Sequence, residues 1–107
     1  MFDEYVKRYP EEIQEIFHTI VNLVRSSVSS LETRLWAGLP SFYSGSLFVR
    51  VIPFKNHINI EASALEKYKK QLQNYKFTPK DMLQIYLGQS IPSELLIKVF
   101  AESLTQE

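Results

Sequence analysis

The residues best suited to metal chemistry lie on one predicted helix near the start of the chain. Glu11, Glu15 and His18 are spaced i, i+4 and i+7, so they share a helical face, and Glu12 adds a carboxylate beside them. Oxygen and nitrogen ligands at this spacing can surround one iron ion. Carboxylate-bridged iron bundles combine two Glu-x-x-His segments from different helices, and this chain has one. A solvated helix face therefore remains the alternative to weak iron binding.

A second group of candidates lies on predicted strands and suits a small anionic ligand. His57 shares a strand face with Asn59 and Glu61, and the charge of Lys55 disfavours a metal cation and favours an anion. Side chains on the other predicted strands, including Tyr43, can line the same groove and bind a ligand through aromatic stacking or guanidinium hydrogen bonds. The candidate ligand-binding residues are Arg34, Trp36, Arg50, Lys55, His57 and Tyr86. The alternatives are a structural histidine and ordinary aromatic packing.

The sequence contains no recognisable catalytic constellation. Its three glycines, at positions 38, 45 and 88, can form neither a dinucleotide-binding fingerprint nor a phosphate-binding loop. The segment from Ser41 to Ser46 lacks the Gly-x-Ser-x-Gly elbow of serine hydrolases, and the chain has no cysteine to act as a nucleophile. We therefore expect a non-enzymatic protein.

The charge balance argues against nucleic acid as a partner. Twelve basic and twelve acidic residues give a net charge of zero, so affinity through general phosphate neutralisation is not expected. Lysines alternate with aromatic residues between 67 and 77, but Tyr68 and Tyr75 lie on a stripe predicted to be buried and cannot also stack on bases. We expect no nucleic acid among the partners.

Length and the first residues bound the class of protein. A chain of 107 residues suits a single domain, 1–107. The N-terminus is acidic where a secretory signal is basic and then apolar, and no apolar run reaches the roughly 18 residues of a membrane span. These features predict a cytoplasmic protein without a membrane partner.

The elements in the first half of the chain follow from its apolar periodicity. Apolar residues recur at helical spacing from Ile13 to Leu31, which predicts a helix from about Tyr9 to Ser29 or Ser30. Short strands are expected between Glu32 and Phe42. The segment 47–54 has apolar residues on both faces apart from Arg50, which predicts a central strand covered on both sides.

The second half of the chain predicts a further strand, a helix, a strand and a last helix. The alternation in 57–61 directs Ile58 and Ile60 inward. Ser63 and Glu66 fit a capping box at the start of a helix, 82–87 alternates as a strand, and Pro92 begins the final helix. The predicted fold class is α+β, with N-terminal, middle and C-terminal helices packed on a mainly antiparallel sheet of about five strands.

Four short motifs, in this order and spacing, resemble the YdhG-like family of small bacterial domains, which is described as frataxin-like. They are Gly38-Leu39-Pro40-Ser41-Phe42, Phe54-Lys55-Asn56-His57-Ile58, the helix end 72–75 and Ile91-Pro92, and together they cover nearly the whole chain. The resemblance implies that Gly38 and Pro40 shape the backbone, that Lys55 and His57 form a hairpin pair and that Pro92 starts a helix.

The resemblance also implies a function, that of an iron chaperone that delivers iron to an accepting protein. Glu11, Glu12, Glu15 and His18 are the metal-binding candidates for this role, and iron is the only cofactor or cargo implied. Two other hypotheses remain open. One is a small anionic-ligand pocket around Lys55 and His57, and the other is a protein-interaction or homodimer module, so the chain is expected to be a monomer or a homodimer.

Overall fold

A long amphipathic helix lies near the start of the chain, as its apolar stripe predicts. The computed structural model describes residues 2–106, so the predicted domain extends one residue beyond this range at each end. A single turn, α1 (Asp3–Val6), precedes α2 (Glu11–Ser27), and Pro10 occupies the cap position directly before α2. The buried side of α2 consists of Ile13, Phe17, Ile20, Val21 and Val24.

Six strands form one antiparallel sheet, in the order β1-β2-β3-β4-β6-β5. The strands are β1 (Glu32–Trp36), β2 (Leu39–Ser44), β3 (Leu47–Pro53), β4 (His57–Ala62), β5 (Lys76–Phe77) and β6 (Leu83–Tyr86). The expected number of about five is one too low because β5 has two residues, too few to show an alternating pattern. The α+β class is confirmed.

The turn between β1 and β2 has an unusual residue in its first position. Ala37 and Gly38 connect Trp36 to Leu39, and both have positive φ, 51° and 79°. Two-residue hairpin loops of type I′ require positive φ at both positions, and Asn-Gly is the preferred pair. Gly38 therefore shapes the backbone as the resemblance implies, while Ala37 adopts a conformation that is costly for a residue with a Cβ atom.

The predicted middle helix is a 3₁₀ helix, Ser63–Leu72, and its predicted capping box is wrong. No side chain caps its N-terminus. Instead, the Ala64 N–H donates to the Ser103 hydroxyl at 3.0 Å, and the Tyr68 hydroxyl donates to the Glu102 carboxylate. These bonds hold the 3₁₀ helix against the C-terminal helix, so tertiary contacts replace the local cap.

The C-terminal helix completes a layer of helices on one face of the sheet. Pro92 lies at the cap position of α3 (Ser93–Thr105), which packs against α2 and β3. No helix within residues 2–106 is both long and apolar enough to cross a membrane. The sheet residues of the common core are Phe42, Val49, Val51, Ile58, Ile60, Ala62, Leu83 and Ile85.

β3 is buried on both sides, as predicted, but the helices cover only one of them. β3 is central in the sheet, but its core-cluster members, Val49 and Val51, lie on one face only. Phe48, Arg50 and Ile52 alternate with them and so lie on the opposite face. Side chains on that opposite face, and not a second layer of helices, therefore bury the second side of β3.

Candidate functional site

The face of the sheet opposite the core is the candidate functional site, and we call it the open face. The buried apolar residues of α1, α2 and α3 all belong to the core cluster, which lies on the other side. The open face consists of Glu32, Arg34, Trp36, Ser41, Tyr43, Phe48, Arg50, Ile52, Phe54, His57, Asn59, Glu61, Lys76, Gln84 and Tyr86.

Strand register brings polar residues from four strands into one row on this face. Arg34 pairs with Ser41, Ser41 with Arg50, and Arg50 with Glu61, so the row crosses β1, β2, β3 and β4. Directly paired side chains in antiparallel strands lie close enough to interact. The register therefore places two arginines and one carboxylate in line across the sheet.

Several residues of the open face are buried although they do not belong to the core cluster. Ser41 is completely buried. Less than a tenth of the surface of each of four others is accessible to solvent: Tyr43, Arg50, Ile52 and Asn59. Since the core cluster contains none of them, neighbouring side chains on the same face must cover them. The open face thus has a packed interior of its own.

Arg50 is the centre of this interior. Its Nε–H donates to the Ser41 hydroxyl at 3.0 Å, an Nη1–H donates to Glu61 Oε1 at 3.0 Å, and an Nη2–H donates to the Tyr43 hydroxyl at 3.3 Å. The Arg50 side chain is 7% exposed and that of Glu61 is 35% exposed. A charge this deeply buried needs a partner, and Glu61 supplies it.

Two aromatic rings enclose the Arg50 guanidinium. Its central carbon lies 4.0 Å from the ring centroid of Trp36 and 4.0 Å from that of Phe48. Such contacts between a guanidinium and the faces of aromatic rings are favourable, and more so when water is excluded. Arg50 is therefore held in one position by three hydrogen bonds and two rings.

Arg34 makes a second cationic contact on the same face. Its guanidinium carbon lies 4.1 Å from the Tyr43 ring centroid. Burial alone would raise the pKa of the Tyr43 hydroxyl, but hydrogen bonding to Arg50 and Arg34 outweighs it and the pKa is lowered. The two arginines thus stabilise negative charge at this position.

His57 lies between two aromatic rings at the other end of the open face. Its ring is 4.6 Å from that of Phe54, with an interplanar angle of 6°, and 4.6 Å from that of Tyr86, at 20°. Its Nδ1 is 2.7 Å from the Asn56 side-chain oxygen. Burial lowers the pKa of His57, so this stack favours the neutral imidazole.

The open face and its adjoining turn carry more free positive than negative charge. Lys76 lies over the Tyr86 ring at 5.3 Å, and Lys55 is exposed on the β3–β4 turn next to Phe54. In residues 2–106, Arg34, Lys55 and Lys76 form no ion pair, and neither does the exposed Glu32. Three free cations therefore accompany one free carboxylate.

The structure places five of the six predicted ligand-binding residues on the open face and the sixth, Lys55, beside it. Arg50 is not available in the way predicted, because Glu61 neutralises it and three of its N–H groups already donate to acceptors within the chain. The predictions missed Phe48 and Phe54, since a phenylalanine on a strand gives no signal that distinguishes a surface ring from a core ring. Alternation from Arg50 would have placed Phe48 correctly.

The predicted metal-binding residues lie on the exposed side of α2. Glu11, Glu12, Glu15 and His18 are all exposed. Within the described part of the chain, no three His, Asp or Glu side chains are grouped so that they could hold a metal ion. The structure adds no further ligand to this row, and iron binding there stays a prediction from the sequence.

A cleft of about 350 Å³ lies at another edge of the molecule, where β3 begins and β4 ends. Its walls include Glu61, Glu66, Lys80 and Asp81, and none of the predicted ligand-binding residues. The Lys69 ammonium already bridges Asp81, at 2.6 Å, and Glu66, at 3.4 Å. The acidic groups of the cleft are therefore largely satisfied within the chain.

No family model, curated protein or solved structure matches this chain. The resemblance to the YdhG-like family therefore stays a prediction that depends on the four motifs quoted above.

Proposed function

We propose that this protein is a non-catalytic binding domain that recognises a planar, negatively charged partner on the open face of its sheet. The observation that carries the proposal is the position of two large apolar side chains. Trp36 is 50% exposed and Phe54 is 41% exposed, and both lie on the open face. Exposed aromatic rings beside arginine are typical of binding surfaces.

The face is already ordered before any partner binds. Arg50 and His57 are each enclosed by two rings, and their hydrogen bonds fix them further. Binding therefore need not immobilise these side chains, which reduces its entropic cost.

The free charges indicate the sign of the partner. Arg34 lies two residues from Trp36, Lys55 is next to Phe54, and Lys76 lies farther along the same face, over Tyr86. In residues 2–106 none of these three cations forms an ion pair, and Glu32 is the opposing free charge. Complementary charge speeds association and discriminates between partners. A partner with negative charge and flat, apolar surface suits this combination.

Iron handling and a cytoplasmic location remain separate proposals. Iron handling is based on the resemblance and on the exposed carboxylates of α2, and a cytoplasmic location on the cysteine-free sequence. Neither is needed for binding at the open face.

Amide NMR mapping with simple planar anions tests the proposal. We expect naphthoate and naphthalene sulfonate to shift amides of β1, β3 and β4 around Trp36 and Phe54. The variant Trp36→Ala should weaken these shifts, whereas Leu35→Ala, which removes a neighbouring side chain that is 49% exposed on the other face, should not. Shifts confined to α2 or to the cleft would overturn the proposal.

A further inference from the structure

We infer that the open face binds single-stranded nucleic acid, with bases stacked on Trp36 and Phe54 and phosphates near Arg34, Lys55 and Lys76. This inference depends on the proposed function and names the partner. It differs from the expectation of no nucleic acid, which considered the net charge and the lysine-rich segment 67–77. In the structure Tyr68 is buried, as expected, and the surface in question is elsewhere.

Two stacked columns on the face each end in an exposed ring. In the first column, Arg50 lies between Phe48 and Trp36, and Trp36 is half exposed. In the second, His57 lies between Tyr86 and Phe54, and Phe54 is 41% exposed. A nucleobase stacked on the free side of either ring would extend the column by one layer.

The two exposed rings are separated by a distance that a short strand can span. Trp36 and Phe54 lie two strands and about two residues apart, so their Cα atoms are about 12 Å apart at spacings of about 4.8 Å between strands and 3.3 Å along them. About three or four nucleotides cover this distance at the stacked rise of about 3.4 Å per nucleotide. Each nucleotide of a single-stranded nucleic acid supplies one planar base and one phosphate.

Charge favours this partner over a second copy of the chain. The free cations outnumber the free carboxylates on and beside the open face, so two open faces brought together would repel each other. A duplex is also unsuited, because its bases are already stacked and paired and cannot reach a ring on a flat surface. Unpaired bases have no such restriction, and base–aromatic stacking tolerates any sequence.

Fluorescence anisotropy with labelled oligothymidylate and oligouridylate of about eight nucleotides tests the inference. We expect saturable binding that weakens as salt increases. Trp36→Ala and Phe54→Ala should each lower the affinity about tenfold, because each removes one ring on which a base can stack. Leu35→Ala should bind like the unchanged protein, and Trp36→Phe, which restores a ring, should recover most of the affinity.

Charge variants give an independent readout. Lys55→Gln and Lys76→Gln should each reduce the slope of log affinity against log salt by about 0.7, the value for one phosphate contact on a single strand. Lys70→Gln, which removes an exposed lysine on the 3₁₀ helix, should leave the slope unchanged. Equal slopes in all three variants would overturn the proposed phosphate contacts.

The outcomes separate this inference from the proposed function. If neither oligonucleotide binds while planar anions still shift the amides around Trp36, the nucleic-acid inference fails and the binding face stands. If acidic aromatic peptides bind there instead, the partner is a protein. If light scattering shows a dimer that Trp36→Ala dissociates, the partner is a second copy. If nothing binds at the open face, both proposals fail.

Discussion

At the level of single residues, Arg50 organises the open face, because its guanidinium contacts side chains from four strands, β1 to β4. Lysine cannot reproduce this arrangement, since an ammonium group has neither the planar fork nor the flat surface that stacks on rings. We expect Arg50→Lys to lower the free energy of unfolding by about 2 kcal/mol, the scale of hydrogen bonds to a charged group. Urea denaturation measures this change.

Arg34→Lys is the matched control for Arg50→Lys. Arg34 lies in the same row and also stacks on a ring, but it is exposed. Exposed substitutions usually change stability by no more than about 0.5 kcal/mol. Equal free energies of unfolding for the two variants would contradict the prediction that the enclosed Arg50 stabilises the open face.

His57 predicts a dependence of stability on pH. Burial lowers the pKa of its folded form below the ordinary value of 6.5, so the unfolded chain binds a proton more readily. The contribution of His57 to stability is complete above 6.5 and is lost as the pH falls through the lowered folded pKa. Urea denaturation over this range, compared with His57→Phe, measures the contribution.

An NMR titration of the histidine ring protons gives the same quantity directly. The His57 resonance should titrate with a midpoint below 6.5. The variant His18→Gln identifies which of the two histidine resonances belongs to His57. A midpoint at or above 6.5 would contradict the partly buried stack of His57 with Phe54 and Tyr86.

At the level of elements, the turn of the β1–β2 hairpin is not optimal for stability, because its first residue is an alanine with positive φ. Ala37→Asn should raise the free energy of unfolding by about 0.5–1 kcal/mol, because asparagine adopts positive φ at less cost than alanine. Gly38→Ala should lower it by about 1 kcal/mol. A Cβ at Gly38 would meet no atom within 4 Å, so that loss is a backbone effect alone.

Thermal or urea unfolding of both turn variants checks this prediction. Opposite signs for Ala37→Asn and Gly38→Ala are required, since both substitutions act through the same positive-φ requirement. Two destabilising changes of equal size would show that the turn does not have the conformation described.

Sequence alone predicts the elements that are long and periodic. The stripe of α2 and the alternation of β4 each repeat often enough to identify both the element and its buried side. The 3₁₀ geometry of 63–72 could not be predicted, because it depends on tertiary partners such as Ser103 and Glu102. The two-residue strand β5 is too short to show a pattern, and it is defined only by its pairing with β6. The turn at Ala37 was equally unpredictable, since alanine seldom adopts positive φ.

At the level of the whole molecule, the sequence predicts which residues share a face but not which face the helices cover. Apolar residues on both sides of β3 predict that both sides are buried, and they are, but they do not predict what buries each side. In the structure, the second side is packed by its own rings around Arg50. A strand whose second face packs around a buried arginine has the same pattern of apolar residues as a strand between two layers.

The arrangement of helices on one side leaves the open face without a covering helix within residues 2–106. Trp36, the only tryptophan of the chain, lies on that face at 50% exposure and reports on it without any label. Arg34, which forms no ion pair within residues 2–106, lies two residues away on the same face. The local field there is therefore expected to be positive.

The most direct measurement is quenching of the Trp36 fluorescence by ions of opposite charge. We predict that iodide quenches strongly, that caesium quenches much less, and that the difference shrinks as inert salt screens the field. Acrylamide, which is neutral, should confirm the exposure independently of charge. Weak quenching by all three agents, or stronger quenching by caesium than by iodide, would contradict an uncovered and positively charged open face.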